Sequence, residues 1–334
     1  MKGDVKMAIL VCGGAGYIGS HMVAELLENG EEVVVLDNLQ KGHRQSLLGG
    51  KFYKGDLRDD KVLDLVFTEN KIDAVIDFAA DSLVGESVEE PLKYFENNIG
   101  STINLLKAMR KHNARHIVFS STAATYGEPE RVPILEGDKT LPTNPYGESK
   151  LAVEKILKWC DKAYGITYTA LRYFNAAGAH VSGKIGEDHS PESHLIPLIL
   201  QVALGKREKI MIFGEDYPTE DGTCVRDYIH VTDLANAHLL ALKRLRKGGE
   251  STICNLGNGK GFSVKEVIEV ARKVTGHEIK AQIAPRRAGD PAVLIASSVK
   301  ANNELGWNPK FNSLENIIGT AWDWHNNNPN GYEK

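Results

Sequence analysis

Residues 8–19 read AILVCGGAGYIG. An apolar run ends at a glycine cluster, and Tyr17 and Ile18 then open a stretch of helical spacing. Gly13, Gly16 and Gly19 form G-x-x-G-x-x-G, one residue longer in the turn than G-x-G-x-x-G. Glycines let the backbone close on a pyrophosphate, and the free N–H groups of the following helix attract its charge. A glycine triplet alone would also serve any tight turn. Here a second apolar run, VVVL at 33–36, leads into Asp37 about 20 residues beyond the motif, where a carboxylate can accept hydrogen bonds from ribose hydroxyls. An acid at that place repels a 2′-phosphate. NAD is therefore expected rather than NADP, with Lys41 and Arg44 as a nearby counterweight.

Further apolar runs lie at 74–78, 116–120 and 167–173, and amphipathic stretches at 17–29, 61–69, 92–112 and 146–163. Near-continuous apolar strands alternating with helices predict a parallel sheet covered on both faces, a doubly wound α/β (Rossmann) fold. After residue 176 the rhythm changes. AAGAHVSGKIGEDHSPESH is loop-like, and helices near 194–204, 231–246, 264–275 and 314–327 follow, with strands near 210–213 and 252–255. Ser263 and Glu266 have capping-box spacing. The expected division is a dinucleotide-binding domain over 7–176 and a smaller α/β lobe over 177–334, folded against the sheet edge with room for exchange of segments.

The 334 residues carry a formal net charge of −4, with 42% hydrophobic and 25% charged residues. That balance lacks the basic excess of a nucleic-acid or membrane-surface binder. MKGDVK at the start carries no apolar segment, and no run approaches the length of a membrane span. Cys12, Cys160, Cys224 and Cys254 are far apart and form no C-x-x-C pair, so reduced thiols in the cytoplasm are expected. His189 and His194 could suggest a metal, but nothing in the chemistry needs one, and none is expected.

NPYGESK (144–150) places Tyr146 and Lys150 at i and i+4, on one helix face. Such a pair is often an incidental surface feature. A phenol with its ordinary pKa near 10 is a poor base, but an ammonium beside it and a nicotinamide cation would favour the phenolate. FSSTAATYG (119–127) follows the fifth apolar run, at the carboxyl edge where such sheets place ligands. There Thr122 offers a hydroxyl to a substrate oxygen.

With GGAGYIGSH, LDNL, GDLR, FAADSLVGES, the Asn pair at 97–98, LRYFNAAGA, GEDH, IFGEDYPTEDGTCVRDYIHV and APRRAGDP, the chain resembles the extended short-chain dehydrogenases/reductases over nearly its whole length. The second-half segments point to the nucleotide-sugar branch of that family. The resemblance implies C4 inversion between UDP-galactose and UDP-glucose, as in galactose metabolism, through a transient 4-keto sugar with hydride held on tightly bound NAD. It implies Tyr146 as the base, Thr122 as its relay and Lys150 as activator, all three bordering the cofactor. Tyr17 and Ile18 would lie on the pyrophosphate turn, and Asp37, Asn38, Leu39, Gln40, Lys41 and Gly42 around the adenosine ribose. Asp56 and Leu57 would reach the adenine. Phe78, Ala79, Ala80, Asp81, Ser82 and Asn97 would line the cofactor, with Phe174 at the nicotinamide.

The same resemblance assigns UDP to Asn175, Leu195, Phe213, Arg226, Arg287 and Asp290, so that 177–334 becomes the UDP-sugar domain. Forked guanidinium groups suit phosphate oxygens. Ser82 stands where some relatives have lysine, and His194 where some have asparagine. Leu294 stands where some place tyrosine against the sugar. The extra room implies activity on UDP-N-acetylhexosamines, against plain packing as the alternative. A homodimer through the helices at 92–112 and 146–163 is also implied. Two other readings stand beside this one. Another nucleotide-sugar modifier, a 4,6-dehydratase or decarboxylase, is the first; dehydratase relatives carry Asp-Glu after the threonine, where this chain has Ala123 and Ala124. A non-catalytic NAD-sensing module is the second, and retention of Thr122, Tyr146 and Lys150 together tells against it.

Overall fold

A computed structural model describes residues 7–287 and 290–332. The MKGDVK segment, Ala288 and Gly289 of the APRRAGDP motif, and residues 333–334 lie outside the described residues. The first half supplies strands β1 (Ala8–Cys12), β2 (Glu32–Asp37), β3 (Lys51–Lys54), β4 (Ile72–Asp77), β5 (His116–Thr122) and β6 (Thr167–Tyr173). The second half adds β7 (Asn175–Ala177), β8 (Ile210–Phe213), β9 (Val225–His230), β10 (Thr252–Leu256), β11 (Gly261–Ser263), β12 (Ala281–Ala284) and β13 (Val293–Leu294). The helices are α1 (Tyr17–Glu28), α2 (Asp60–Glu69), α3 (Val84–Glu89), α4 (Pro91–Phe95), α5 (Ser101–Lys111) and α6 (Pro145–Tyr164). Beyond them lie α7 (Leu195–Ala203), α8 (Val231–Arg246), α9 (Val264–Thr275), α10 (Val299–Leu305) and α11 (Leu314–Asn327).

Seven strands form the main sheet in the order β10-β6-β5-β4-β1-β2-β3, and every pair is parallel. Strand order reverses between β1 and β4, and the crevice at that point is where open α/β sheets bind ligands. Side chains alternate across the pleat. Ile9 and Val11 join Met22, Val35 and Leu234 in one core, while Leu10 and Cys12 join Leu36, Leu63, Leu105 and Val153 in the other. Both faces are dry, which explains the near-continuous apolar runs.

The sequence reading placed the 231–246 helix and the 252–255 strand in the smaller lobe. Instead β10 pairs with β6 from Thr252↔Thr169 to Leu256↔Tyr173, and α8 packs on α1. Segments from beyond residue 176 thus complete the first core. The rest of the second half builds a third core from Ile196, Ile199, Tyr228, Val267 and Ile317. There β9 lies between β11 and β13 and also pairs with β7, and β8 pairs with β12. No described helix is long and apolar enough to cross a membrane.

The stretch expected as one helix over 92–112 is α4 and α5 joined by a π-helical turn, Glu96–Gly100. Such turns insert a residue and re-aim side chains, often at functional sites. Here the turn delivers Asn97 and Asn98 to Asp81. Asn97 Nδ2 donates to Asp81 Oδ2 (2.9 Å), and Asn98 Nδ2 donates to the Asp81 carbonyl (3.0 Å) and to Ser149 Oγ (3.0 Å).

Candidate active site

The turn between β1 and α1 is too close for side chains at two points. Gly13 has φ +69°, and a Cβ there would stand 2.9 Å from Ala79 N; a Cβ on Gly19 would stand 2.1 Å from Gly13 O. Asp37 ends β2 and secures this turn. Its Oδ2 accepts the Ala15 N–H (2.9 Å) and its Oδ1 the Leu39 N–H (2.8 Å). Burial pushes the Asp37 carboxyl up, and these backbone donors pull it back. Each oxygen keeps a lone pair for a hydroxyl. Gly13, Gly16, Asp37, Asn38, Gln40, Lys41, Gly42, Asp56, Leu57, Phe78, Ala79, Ala80, Asp81 and Asn97 line one cleft, together with Leu36, Gly55 and Ser101, which sequence reasoning missed. A groove walled by backbone at Gly13 and ending on a buried acid fits a dinucleotide.

Ser82 is exposed and Phe174 half-buried, and neither lines that cleft. Tyr17 is buried and turns its hydroxyl to Gly178 O (2.6 Å), while Ile18 packs on the first core. Their side chains therefore serve the fold, and only their backbone faces the turn. Asp56 accepts from Asn38 Nδ2 (3.0 Å) and is clamped by Arg58 (2.9 and 2.8 Å), which holds its carboxyl well below the usual range.

The second group of residues is positioned by α6. Asn144 caps it, accepting the Gly147 N–H (2.9 Å), and Pro145 occupies the first turn. Gly147 presses on the loop after β5: a Cβ there would stand 2.6 Å from Ala124 O. This contact brings Tyr146 to Thr122, whose hydroxyl bond lowers the phenol pKa against the larger upward push of burial. Thr122 Oγ1 also accepts the Ala124 N–H (3.1 Å). Lys150 is 3% exposed. Its Nζ donates to Ser120 O (2.9 Å) and sits 4.8 Å from the Phe119 ring centre. Burial lowers its pKa to about 8, opposed by the charge of Asp77.

Two buried features here were not read from sequence. Asp77, at the end of β4, is 1% exposed. The other is a network behind β5: Ser121 Oγ donates to Glu154 (2.6 Å), Arg172 forks onto Glu154 (2.8 and 2.5 Å), and Tyr126 donates to Asn255 (2.7 Å) beneath the Arg172 guanidinium. Its members lie on four separate elements, so no local spacing could have marked them.

The anchors of the second half are assembled over long range. Arg226 on β9 pairs with Asp290, and Leu294 on β13 lies opposite Arg226 in register. Arg287 stacks on Phe213 with its guanidinium carbon 4.0 Å from the ring centre. Asn175 Nδ2 donates to the Asp227 carbonyl (3.0 Å), and Leu195 opens α7. The Asp227 carboxylate accepts N–H groups from Asn258 (2.6 Å), Ala296 (3.1 Å) and Gly259 (3.3 Å), tying β9 to the segments on either side. Four side chains, Glu187, His189, Glu192 and His194, bring their ligating atoms within 4.8 Å of one another. Glu187 accepts from both His194 and His189 (3.2 Å). Burial alone would raise the Glu187 carboxyl, but the two imidazoles hold it at about 2; His189 overcomes its own burial through Glu187 and Glu192 and rises to about 10. Glu187 likewise raises the His194 pKa against burial.

Two bonds join the two halves beside the cleft: Lys41 Nζ donates to Ser190 O (3.0 Å) and His43 Nε2 to Asp188 O (3.0 Å). Within the second half, Tyr332 N donates to Asp188 Oδ2 (2.9 Å).

Residues 9–257 match the model of the NAD dependent epimerase/dehydratase family. A UDP-glucose 4-epimerase of Halalkalibacterium halodurans is 67% identical, over 98% of this chain and 98% of that one. The crystal structure of a UDP-glucose 4-epimerase superposes with a TM-score of 0.97 at 59% identity, covering 98% of this chain and all of that chain. The Bifidobacterium longum UDP-glucose 4-epimerase in complex with NAD+ and UDP gives a TM-score of 0.93 at 43% identity, covering 98% and 100%. The chain belongs to the NAD dependent epimerase/dehydratase family, and its relatives over nearly the full length include UDP-glucose 4-epimerases.

Proposed function

We propose that the chain is an NAD-dependent isomerase that interconverts UDP-galactose and UDP-glucose by inverting C4. The observation that carries this reading is the meeting of Tyr146 with Thr122, above a buried Lys150 and beside a dinucleotide cleft. When bound, NAD supplies a reversible hydride acceptor for C4. Tyr146, as phenolate, takes the C4 hydroxyl proton through Thr122, and the Lys150 ammonium favours that phenolate. Arg226 and Arg287 hold the diphosphate, with Asn175, Leu195, Phe213 and Asp290 around the rest of UDP. The 4-keto sugar, gripped only by its UDP, turns about the diphosphate linkage. With the opposite face of C4 then presented, Tyr146 gives the proton back to O4 as C4 regains its hydride on that face, and C4 is inverted without net oxidation.

Arg226 pairs with Asp290, and Arg287 stacks on Phe213. Phosphate oxygens and a uracil ring are natural replacements for these partners, which supports UDP as the anchor. Dehydration finds no support, because Ala123 and Ala124 follow Thr122 where an acid pair would be needed. The deciding experiment incubates the purified protein with UDP-galactose and no added nucleotide. UDP-glucose should form without accumulation of NADH; no conversion by NAD-loaded protein would refute the reading.

Four finer readings go with this function. Leu294 leaves space at the sugar, so UDP-N-acetylglucosamine and its C4 epimer should also turn over; undetectable turnover of both beside normal UDP-galactose activity would exclude this. A homodimer would cover Leu92, Ile103 and Trp159, which stand 79%, 36% and 68% exposed on α4, α5 and α6. Light scattering that gives a monomer mass would exclude it. The four cysteines are all free, which supports a cytoplasmic location, and residues 7–176 and 177–334 divide the NAD and UDP-sugar duties.

A further inference from the structure

A buried carboxylate usually collects hydrogen bonds on both oxygens. Asp77 does not. Its Oδ1 accepts the Ala79 N–H (3.1 Å), but Oδ2 has no partner in hydrogen-bond geometry among the described residues, and the Thr102 hydroxyl beside it donates to Asn98 O (2.9 Å). Burial pushes the Asp77 carboxyl up to about 6, opposed first by the charge of Lys150. In the parallel register Asp77 lies opposite Phe119, and Lys150 reaches in over that phenylalanine to bond the carbonyl of the next residue, Ser120. A lysine this deeply buried tends to shed its proton, since an unpaired ammonium is costly away from water. Asp77 is the one group whose charge resists that loss.

We propose that Asp77 is a positioning residue for the epimerisation: its carboxylate keeps the buried Lys150 in the ammonium form, and through Lys150 keeps the Tyr146 phenol ionisable. The role rests on the proposed part of Lys150 in the reaction. The other titratable groups around the pair are Cys12 on β1, which faces Asp77, Tyr146 one turn earlier on α6, and Tyr173 on β6, bonded to Ser120. Burial holds the pKa of Cys12 and Tyr173 up, so neither replaces the charge of Asp77; burial also raises that of Tyr146, whose ionisation as the proposed base is what the Lys150 charge serves.

Asp77→Asn keeps an oxygen for the Ala79 N–H and removes only the charge. The test follows kcat against pH for the NAD-loaded enzyme with UDP-galactose. The alkaline limb should move toward acid by ~1 pH unit, so that kcat falls about 5- to 10-fold near pH 8.5 and little near pH 6.5, with KM unchanged. In a Lys150→Met background the same change should have no further effect. A superposable profile, a uniform loss at every pH, or an equal loss without Lys150 would overturn the proposal alone. Lys150→Met with undiminished kcat would overturn the reading of Lys150, and this proposal with it. Melting temperature and NAD content report folding. If Asp77→Asn fails to fold, Asp77→Ser, with a hydroxyl for the Ala79 N–H, carries the same readout.

Discussion

The two halves of the molecule make their sites in opposite ways. The dinucleotide cleft is built from short consecutive stretches: Gly13 to Gly19, Asp37 to Gly42 and Phe78 to Asp81, each at the end of a parallel strand. The proposed UDP site takes single residues from Asn175, Leu195, Phe213, Arg226, Asp290 and Leu294, held together by pairing across β7, β9 and β13, by the packing of α7 and β8 in the third core, and by the Arg226–Asp290 pair. A dinucleotide pyrophosphate is met mainly by backbone, which glycine-rich turns supply locally. A nucleotide sugar is met by side chains, which can come from anywhere. The contrast implies that variants in the first half should lose chemistry or cofactor with every substrate. Variants in the second half should change affinity and choice of sugar.

The strongest trial of that division is Tyr146→Phe. It should lower kcat by about 10²- to 10⁴-fold with all sugars and barely move KM; a near-normal rate would remove the proposed base. Gly19→Val comes next. Its side chain would collide with the Gly13 carbonyl, so the purified protein should lack bound NAD, detectable by its absorbance after acid release. In the second half, Arg226→Ala removes a charge-assisted contact of about 1.5–3 kcal/mol. KM for UDP-galactose should rise about 10- to 100-fold with kcat little changed. A fall in kcat at constant KM would erase the distinction between the halves.

Glu187→Gln sharpens the comparison through stability. The depressed Glu187 pKa contributes stability present above its unfolded value near 4.5 and lost as pH falls through about 2. The raised His189 pKa contributes stability present below its unfolded value near 6.5 and lost as pH rises through about 10. The network is therefore at full strength between about pH 4.5 and 6.5. Calorimetry should show the largest loss there, about 3 kcal/mol, shrinking toward pH 10. A loss independent of pH would contradict the charged network. The smallest effect is expected for Leu294→Tyr, which should cut activity on UDP-N-acetylglucosamine about 10-fold while sparing UDP-galactose.

The same contrast explains what the sequence could tell. Strands β1, β2, β4, β5 and β6 were legible because both sheet faces are dry and their runs are apolar throughout. Strand β9 was missed because Arg226 and Asp227 interrupt its pattern, and those charges are what hold it in place and give it a task. Strand β3, with Lys51 and Lys54 exposed at its ends on the sheet edge, lacks the apolar run. The fate of β10 and α8 depended on pairing with β6 and packing on α1, which no local pattern records. In the site, the glycine turn and the Tyr146–Lys150 pair announce themselves by spacing, whereas the partnerless oxygen of Asp77 exists only after folding.

Lys41 and His43 lie 149 and 145 residues in sequence from the partners they hold, Ser190 and Asp188. Each of these surface bonds is weak alone. Together they tie the rim of the cleft at Lys41 to the 188–190 segment of the second half. An enzyme that returns its hydride every turnover has no need to exchange its carrier.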